Sequence, residues 1–193
     1  APVEPGAPSD QEDPVPVTRM NHAVLFVRDA DRTAAFYEEV LGFSRLDMGA
    51  DLRGAAFLRA PGSTNDHDLG LFQIGDGAED SAAGRRSVGL YHLAWEVDTL
   101  GELQRVAGVL RQAGALVGAS DHHSTKSLYA KDPDGLEFEV CWLLPADALP
   151  DPSQVDASQV DPRPLPLDLD AEIARFGADT LGGIGVSVPA TTA

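Results

Sequence analysis

Two histidines stand 70 positions apart in matching settings. His22 lies in Asn21-His22-Ala23-Val24-Leu25-Phe26-Val27, and His92 in Tyr91-His92-Leu93-Ala94-Trp95-Glu96-Val97. Both segments read as strands, whose side chains alternate between two faces. His22 then shares a face with Val24 and Phe26, and His92 with Ala94 and Glu96. A third apolar run, 136–142, puts Glu137, Glu139 and Cys141 on one face and Leu136, Phe138, Val140 and Trp142 on the other. If these faces line one cavity, two imidazoles and a carboxylate converge. Such a set leaves coordination positions open and suits non-haem Fe(II). Parity alone admits Glu137 as well as Glu139. A lone strand histidine is more often packed than ligating, but two at equivalent places in a repeat favour the ligand reading. A glutamate in so apolar a run needs a partner, and a metal is one. Cys141 on its own reads as packing.

The elements that must position these residues repeat. A strand pattern at 21–27 is followed by a helix pattern at 30–41, which stops at Leu41-Gly42. Strand patterns follow at 43–48, 55–59 and 69–74. A linker rich in Gly, Asp and Ser covers 75–87. The order then restarts: a strand at 90–97, a helix at 99–113 ending in Gly114, and strands at 115–119, 127–131 and 136–142. Each unit is βαβββ, roughly 60 residues long, and cannot bury its apolar sheet face alone. Two side by side predict an α+β fold: a cupped eight-stranded mixed sheet around a metal-containing cavity, with helices outside.

Composition bounds the rest. The chain has 193 residues, 43% of them hydrophobic, and one cysteine, which excludes an internal disulfide and a cysteine-based zinc site. The net charge of −17 argues against nucleic acid and anionic membranes as partners. No apolar run reaches the ~18 residues of a membrane span. Residues 1–17 lack the basic and apolar regions of a signal peptide, so the expected compartment is the cytoplasm. Residues 1–17 carry four acids, no base and five prolines, and read as a flexible tail. The expected domain is 18–145, with modules 18–75 and 88–145. Residues 146–193 form a Pro/Asp-rich extension with a helix pattern at 169–176. Leu165, Leu167, Leu169, Ile173 and Phe176 give it enough apolar material to pack on the domain or on a second copy in a homodimer.

The most specific stretch is Ser127-Leu128-Tyr129-Ala130-Lys131-Asp132-Pro133-Asp134-Gly135-Leu136-Glu137-Phe138-Glu139. With the repeated histidine strands, it resembles the vicinal oxygen chelate superfamily of glyoxalases, bleomycin-resistance proteins and extradiol dioxygenases. The resemblance covers roughly 18–145. An Asp-Pro-Asp-Gly turn followed by a ligand glutamate is typical of that superfamily. The resemblance therefore selects Glu139 over Glu137 and puts His22 and His92 on the other ligand positions.

Within the superfamily the pattern is most similar to type I extradiol dioxygenases. Glyoxalase-type members have a fourth ligand on the fourth strand, which here reads Leu69-Gly70-Leu71-Phe72 with only Gln73 left over. Asp66-His67-Asp68 resembles the motif whose histidine is an acid-base residue. Tyr129 falls where a substrate-contacting tyrosine stands, and His122 where a histidine contacts the substrate oxygen, with His123 the alternative if the register shifts by one. The resemblance thus implies Fe(II), or Mn(II), held by His22, His92 and Glu139, with dioxygen as co-substrate and a small aromatic diol as substrate. The alternatives are a metal-dependent lyase or isomerase that recruits Gln73, and a metal-free binding protein for a drug or small aromatic.

Overall fold

Alternating burial builds the first sheet. β1 (Ala23–Val27) buries Leu25 and Val27 and leaves Val24 and Phe26, 51% and 71% exposed, on its other face. α1 (Ala30–Leu41) follows because Asp29 caps it: its carboxylate accepts from the N–H groups of Asp31 and Arg32. Gly42 ends it in the left-handed region at φ 70°, a conformation that glycine adopts without strain. The helix buries Ala30, Thr33, Ala34, Tyr37 and Val40, one stripe at helical spacing. β2 (Ser44–Leu46), β3 (Ala55–Arg59) and β4 (Leu69–Gln73) complete the module. The strand order is β1-β4-β3-β2, with β1 and β4 parallel. The computed structural model describes residues 19–49, 52–84, 86–149 and 163–183.

The second module repeats the plan. β5 (His92–Glu96), α2 (Leu100–Gln112), β6 (Leu116–Asp121), β7 (Thr125–Lys131) and β8 (Glu137–Leu143) follow in order. Thr99 caps α2 through the N–H of Glu102. Leu128, Ala130, Phe138, Val140 and Trp142 are buried on the helix side of this sheet. All eight expected strands and both helices form. They divide into a four-stranded and a five-stranded sheet, the fifth strand being β9 (Leu165–Pro166) beside β6. Among the described residues no ladder joins the two sheets. The reason is that β1 and β5 each pair on one side only, with β4 and β8.

Side chains therefore join the modules. The rings of Tyr37 and Phe138 stand 5.5 Å apart, and those of Phe43 and Trp95 5.1 Å apart. The directional contact comes from Asp134, whose side chain is 6% exposed. Its Oδ1 accepts from the Arg28 backbone N–H at 3.3 Å, the Arg28 guanidinium at 3.1 Å and the Arg32 guanidinium at 3.3 Å. Its Oδ2 accepts from the Thr33 hydroxyl at 3.1 Å. Asp132 turns the chain below it: one oxygen accepts from the N–H groups of Asp134 and Leu136. Burial, the largest cause, raises the Asp132 carboxyl to about 6, and the charge of Asp134 adds to it.

The extension packs on the second module. α3 (Leu169–Phe176) occupies the expected span, and Leu169, Ile173 and Phe176 lie against the core. Trp142 stands 5.8 Å from the Phe176 ring and donates from Nε1 to the Thr180 carbonyl at 3.2 Å. Gly182 lies where a Cβ would come within 3.1 Å of Trp142. The expectation for 1–17, and the stretches 150–162 and 184–193 of the extension, lie outside the described residues. No helix among the described residues is long and apolar enough to cross a membrane.

Asp134→Ala removes a buried acceptor shared by two arginines and a threonine. Stripping charged partners in this way costs roughly 2–3 kcal/mol, or about 4–12 °C in Tm at this chain length. Calorimetry showing an unchanged Tm would mean that the aromatic contacts suffice. Asp132 supplies a pH test. Between its unfolded value near ~3.9 and about 6, the folded chain binds more protons than the unfolded one. Stability from this group therefore falls as pH rises through that window. Asp132→Asn removes the loss, so the variant gains on the native chain between pH 4 and 6.5 in urea unfolding. A constant difference between the two would contradict the raised carboxyl.

Candidate metal and substrate site

The six sequence-predicted residues fall into two groups, one on each module. In the second module, β5 and β8 run parallel and in register, with His92 opposite Glu137 and Ala94 opposite Glu139. Of the two carboxylates at that parity, Glu139 makes the contact: its Oε2 is 3.0 Å from His92 Nε2. Both side chains are largely buried. Tyr129 lies directly across from Glu139 on β7, its ring 5.8 Å from that of His92. The Tyr129 hydroxyl is hydrogen-bonded to His122 Nε2 at 2.8 Å. Burial chiefly, and then the charge of Glu139, raises the Tyr129 hydroxyl above its ordinary value, so it stays a phenol and a hydrogen-bond donor.

The β6–β7 turn separates the two adjacent histidines. His122 faces Tyr129. His123 is exposed and sits in the left-handed region at φ 68°, a position that favours glycine. Its N–H donates to Asp121 Oδ1 at 2.7 Å.

In the first module His22 lies just before β1. Its ring lies against that of His67, tilted by 33° with centroids 4.3 Å apart, and its Nδ1 is 2.7 Å from the Asn21 side-chain oxygen. His67 belongs to the loop before β4. The buried Asp68 shapes this loop by accepting from the Ala60 N–H, the Ser63 hydroxyl and the Asn65 amide. Asn65 also donates to the Asn21 carbonyl, which ties the loop to the residue before His22. The His67 side chain is 12% exposed, lies edge-on to Phe57 at 5.2 Å and pairs with Asp66 at 3.0 Å. The His67 N–H, and then its ring, hold the Asp66 carboxyl below its usual range.

The structure thus joins His92 to Glu139, Tyr129 and His122, and joins His22 to His67. It does not bring His22 to the other two predicted ligands. Among the described residues no three His, Cys, Asp or Glu side chains gather closely enough to hold an ion. The His92–Glu139 pair nonetheless fits a divalent metal. Imidazole and carboxylate are donors that borderline ions accept. His92 Nδ1 is buried without a hydrogen-bond partner, so contacts at Nε2 alone set the polar orientation of the ring.

Other candidates drop away from the site face. Gln73 Oε1 accepts from the Ala30 N–H at 3.4 Å, at the start of α1, and Gly70 and Phe72 are the β4 residues in line with Val24 and Phe26. Burial, then Glu139 and Glu96, push the Cys141 thiol up to about 12, so it remains protonated. A cleft of about 480 Å³ opens between the modules, lined by Val24, Phe26, Leu90, Tyr91 and Leu93. None of the six candidates lines it, but Val24 and Phe26 continue the face that His22 begins. Sequence reasoning missed Lys126, which is buried beside Asp121. Its parity with Leu128 and Ala130, both on the helix side of β7, was the available signal.

Comparison with known proteins agrees with this architecture. A stretch of 127 residues, 64% of the chain, is 31% identical to the catechol-2,3-dioxygenase of Bacillus subtilis (strain 168). Another of 121 residues, 61% of the chain, is 30% identical to metapyrocatechase 2 of Cupriavidus necator. The matches span 41% and 34% of those proteins, so this chain aligns with less than half of each. A glyoxylase/bleomycin resistance protein/dioxygenase domain from Frankia sp. EAN1pec superposes with a TM-score of 0.55 at 24% identity, over 65% of this chain and 92% of that one. The family model of the Glyoxalase/Bleomycin resistance protein/Dioxygenase superfamily matches residues 19–140, from just before β1 into β8, and the chain belongs to this superfamily.

Proposed function

We propose that the protein cleaves the ring of a catechol or substituted catechol beside its diol, using dioxygen and a divalent metal. The observation that carries this is the open face of the second module. There an imidazole–carboxylate donor pair, a phenol and a second imidazole stand together. The two relatives named catechol-2,3-dioxygenase and metapyrocatechase 2 support the same reading. A lyase or isomerase that used Gln73 would need that side chain on the site face, and it is engaged at the start of α1.

In this reading His92 and Glu139 would hold Fe(II), or Mn(II), and His22 would be the third ligand. Fe(II), when bound, would relay electrons from the diol to dioxygen and acidify a chelating diol. Tyr129, kept protonated, donates a hydrogen bond to a ring oxygen. His122 fixes the direction of that hydroxyl. His67 moves a proton on the side of His22, and its tie to Asp66 fixes the ring for that transfer. Val24 and Phe26 present an apolar wall to the ring.

Anaerobic loading with Fe(II), followed by oxygen uptake on a panel of catechols, tests the proposal. Uptake with a ring-opened yellow product is expected, and no uptake with any diol refutes it. His92→Ala and Glu139→Ala should each lose stoichiometric iron by metal analysis while the far-ultraviolet circular dichroism is kept. His67→Phe keeps a ring against His22, so iron should remain. Loss of an acid-base group slows turnover by ~10²–10⁴-fold. Unchanged turnover would make His67 a packing residue, and lost iron would make it a ligand.

A further inference from the structure

The turn that carries His122 is braced by residues beyond the family match. Asp121 ends β6, and its Oδ1 takes two donors: the His123 N–H at 2.7 Å and Lys126 Nζ at 2.6 Å. The first of these holds the left-handed His123. The turn is closed by the His122 N–H on the Thr125 carbonyl and the Ser124 N–H on the His122 carbonyl, both at 2.8 Å. Lys126 is 1% exposed, a buried cation that needs its counter-charges. Its second counter-charge is Glu172 of α3, with Oε2 3.0 Å from Nζ, an ion pair without hydrogen-bond alignment. β9 adds a second brace, pairing Leu165 with Asp121 and Pro166 with Ser120. α3 and β9 both lie in 163–183, outside the matched 19–140.

We propose that Glu172, acting through Lys126 and Asp121, is a positioning residue for His122. The C-terminal extension thereby sets the direction of the His122 ring at the Tyr129 hydroxyl. The inference rests on the reading of Tyr129 as a group that meets substrate and of His122 as the residue that orients its hydroxyl. The physical chain is short. Glu172 and Asp121 together hold the ammonium on the helix side of β7. With Glu172 gone, Lys126 keeps one carboxylate and gains reason to reach water, drawing Asp121 with it. His123 then loses its fixed acceptor, in a conformation that side-chain-bearing residues leave readily. The turn relaxes, and His122 moves relative to Tyr129.

The test uses the full chain. The first arm needs no metal and no substrate: ¹⁵N NMR of the His122 ring, assigned by its loss in His122→Gln. Tyr129→Phe gives the reference position without the hydroxyl. Glu172→Ala should move the His122 signal most of the way to that reference, and Glu172→Gln part of the way. If Glu172→Ala fails to fold, Glu172→Gln carries the comparison. The second arm measures steady-state turnover of a catechol by the Fe(II)-loaded protein. A misplaced positioning group typically costs on the order of 10–100-fold, so kcat of Glu172→Ala should fall in that range while KM changes less. In a His122→Ala background the same change should cost no more, because the two act as one unit. An unmoved His122 signal in the folded variants, or fully additive losses in kcat, overturns the proposal. If no catechol is turned over, the functional reading fails, and the NMR arm alone still decides the positioning claim.

Discussion

Asp134 closes the last turn of the second module, yet Arg28, Arg32 and Thr33, whose side chains bind it, belong to the first. This matters because no ladder joins the two sheets among the described residues. Aromatic packing between Tyr37 and Phe138, and between Phe43 and Trp95, attracts the modules without fixing their angle. A buried carboxylate with directed, charged donors does fix it. Arg28 follows directly on β1, and Asp134 lies three residues before β8. The contact therefore ties together the strand beside His22 and the strand that carries Glu139. How the two groups of candidate residues lie relative to one another therefore depends on how these two strands are held.

Much of this was legible in the sequence because it is local. α1 has the predicted bounds, since its cap, its stripe and its terminal glycine are all coded within 14 residues, Asp29 to Gly42. β3 is likewise as expected, and the other strands differ by a few residues at their ends. The repeat gave the module order, which only needs each unit to have one apolar face. What was not legible depends on distant partners. Parity alone could not separate Glu139 from Glu137, which only the family resemblance did; the structure puts Glu139 3.0 Å from His92. Parity could not tell that Gln73 would turn to the start of α1, or that the His67 ring would lie against His22. Nor could it show that the extension would engage a buried lysine, because Glu172 and Lys126 are 46 positions apart. Long-range ion pairs leave no periodic signal.

The two groups of candidate residues suggest a division of labour. The second module gathers a donor pair and the groups that would grip a diol. The first contributes a histidine pair and the apolar face of Val24 and Phe26. Neither half offers three donors by itself among the described residues. Were His22, His92 and Glu139 to hold one ion, it would link the same two modules that Asp134 joins.

The most direct measurement is diffraction at the iron edge from crystals grown anaerobically with Fe(II). The account predicts one anomalous peak, bonded to His22, His92 and Glu139 together. A peak between His22 and His67, one that His92 and Glu139 bind without His22, or no ordered peak at all would contradict it.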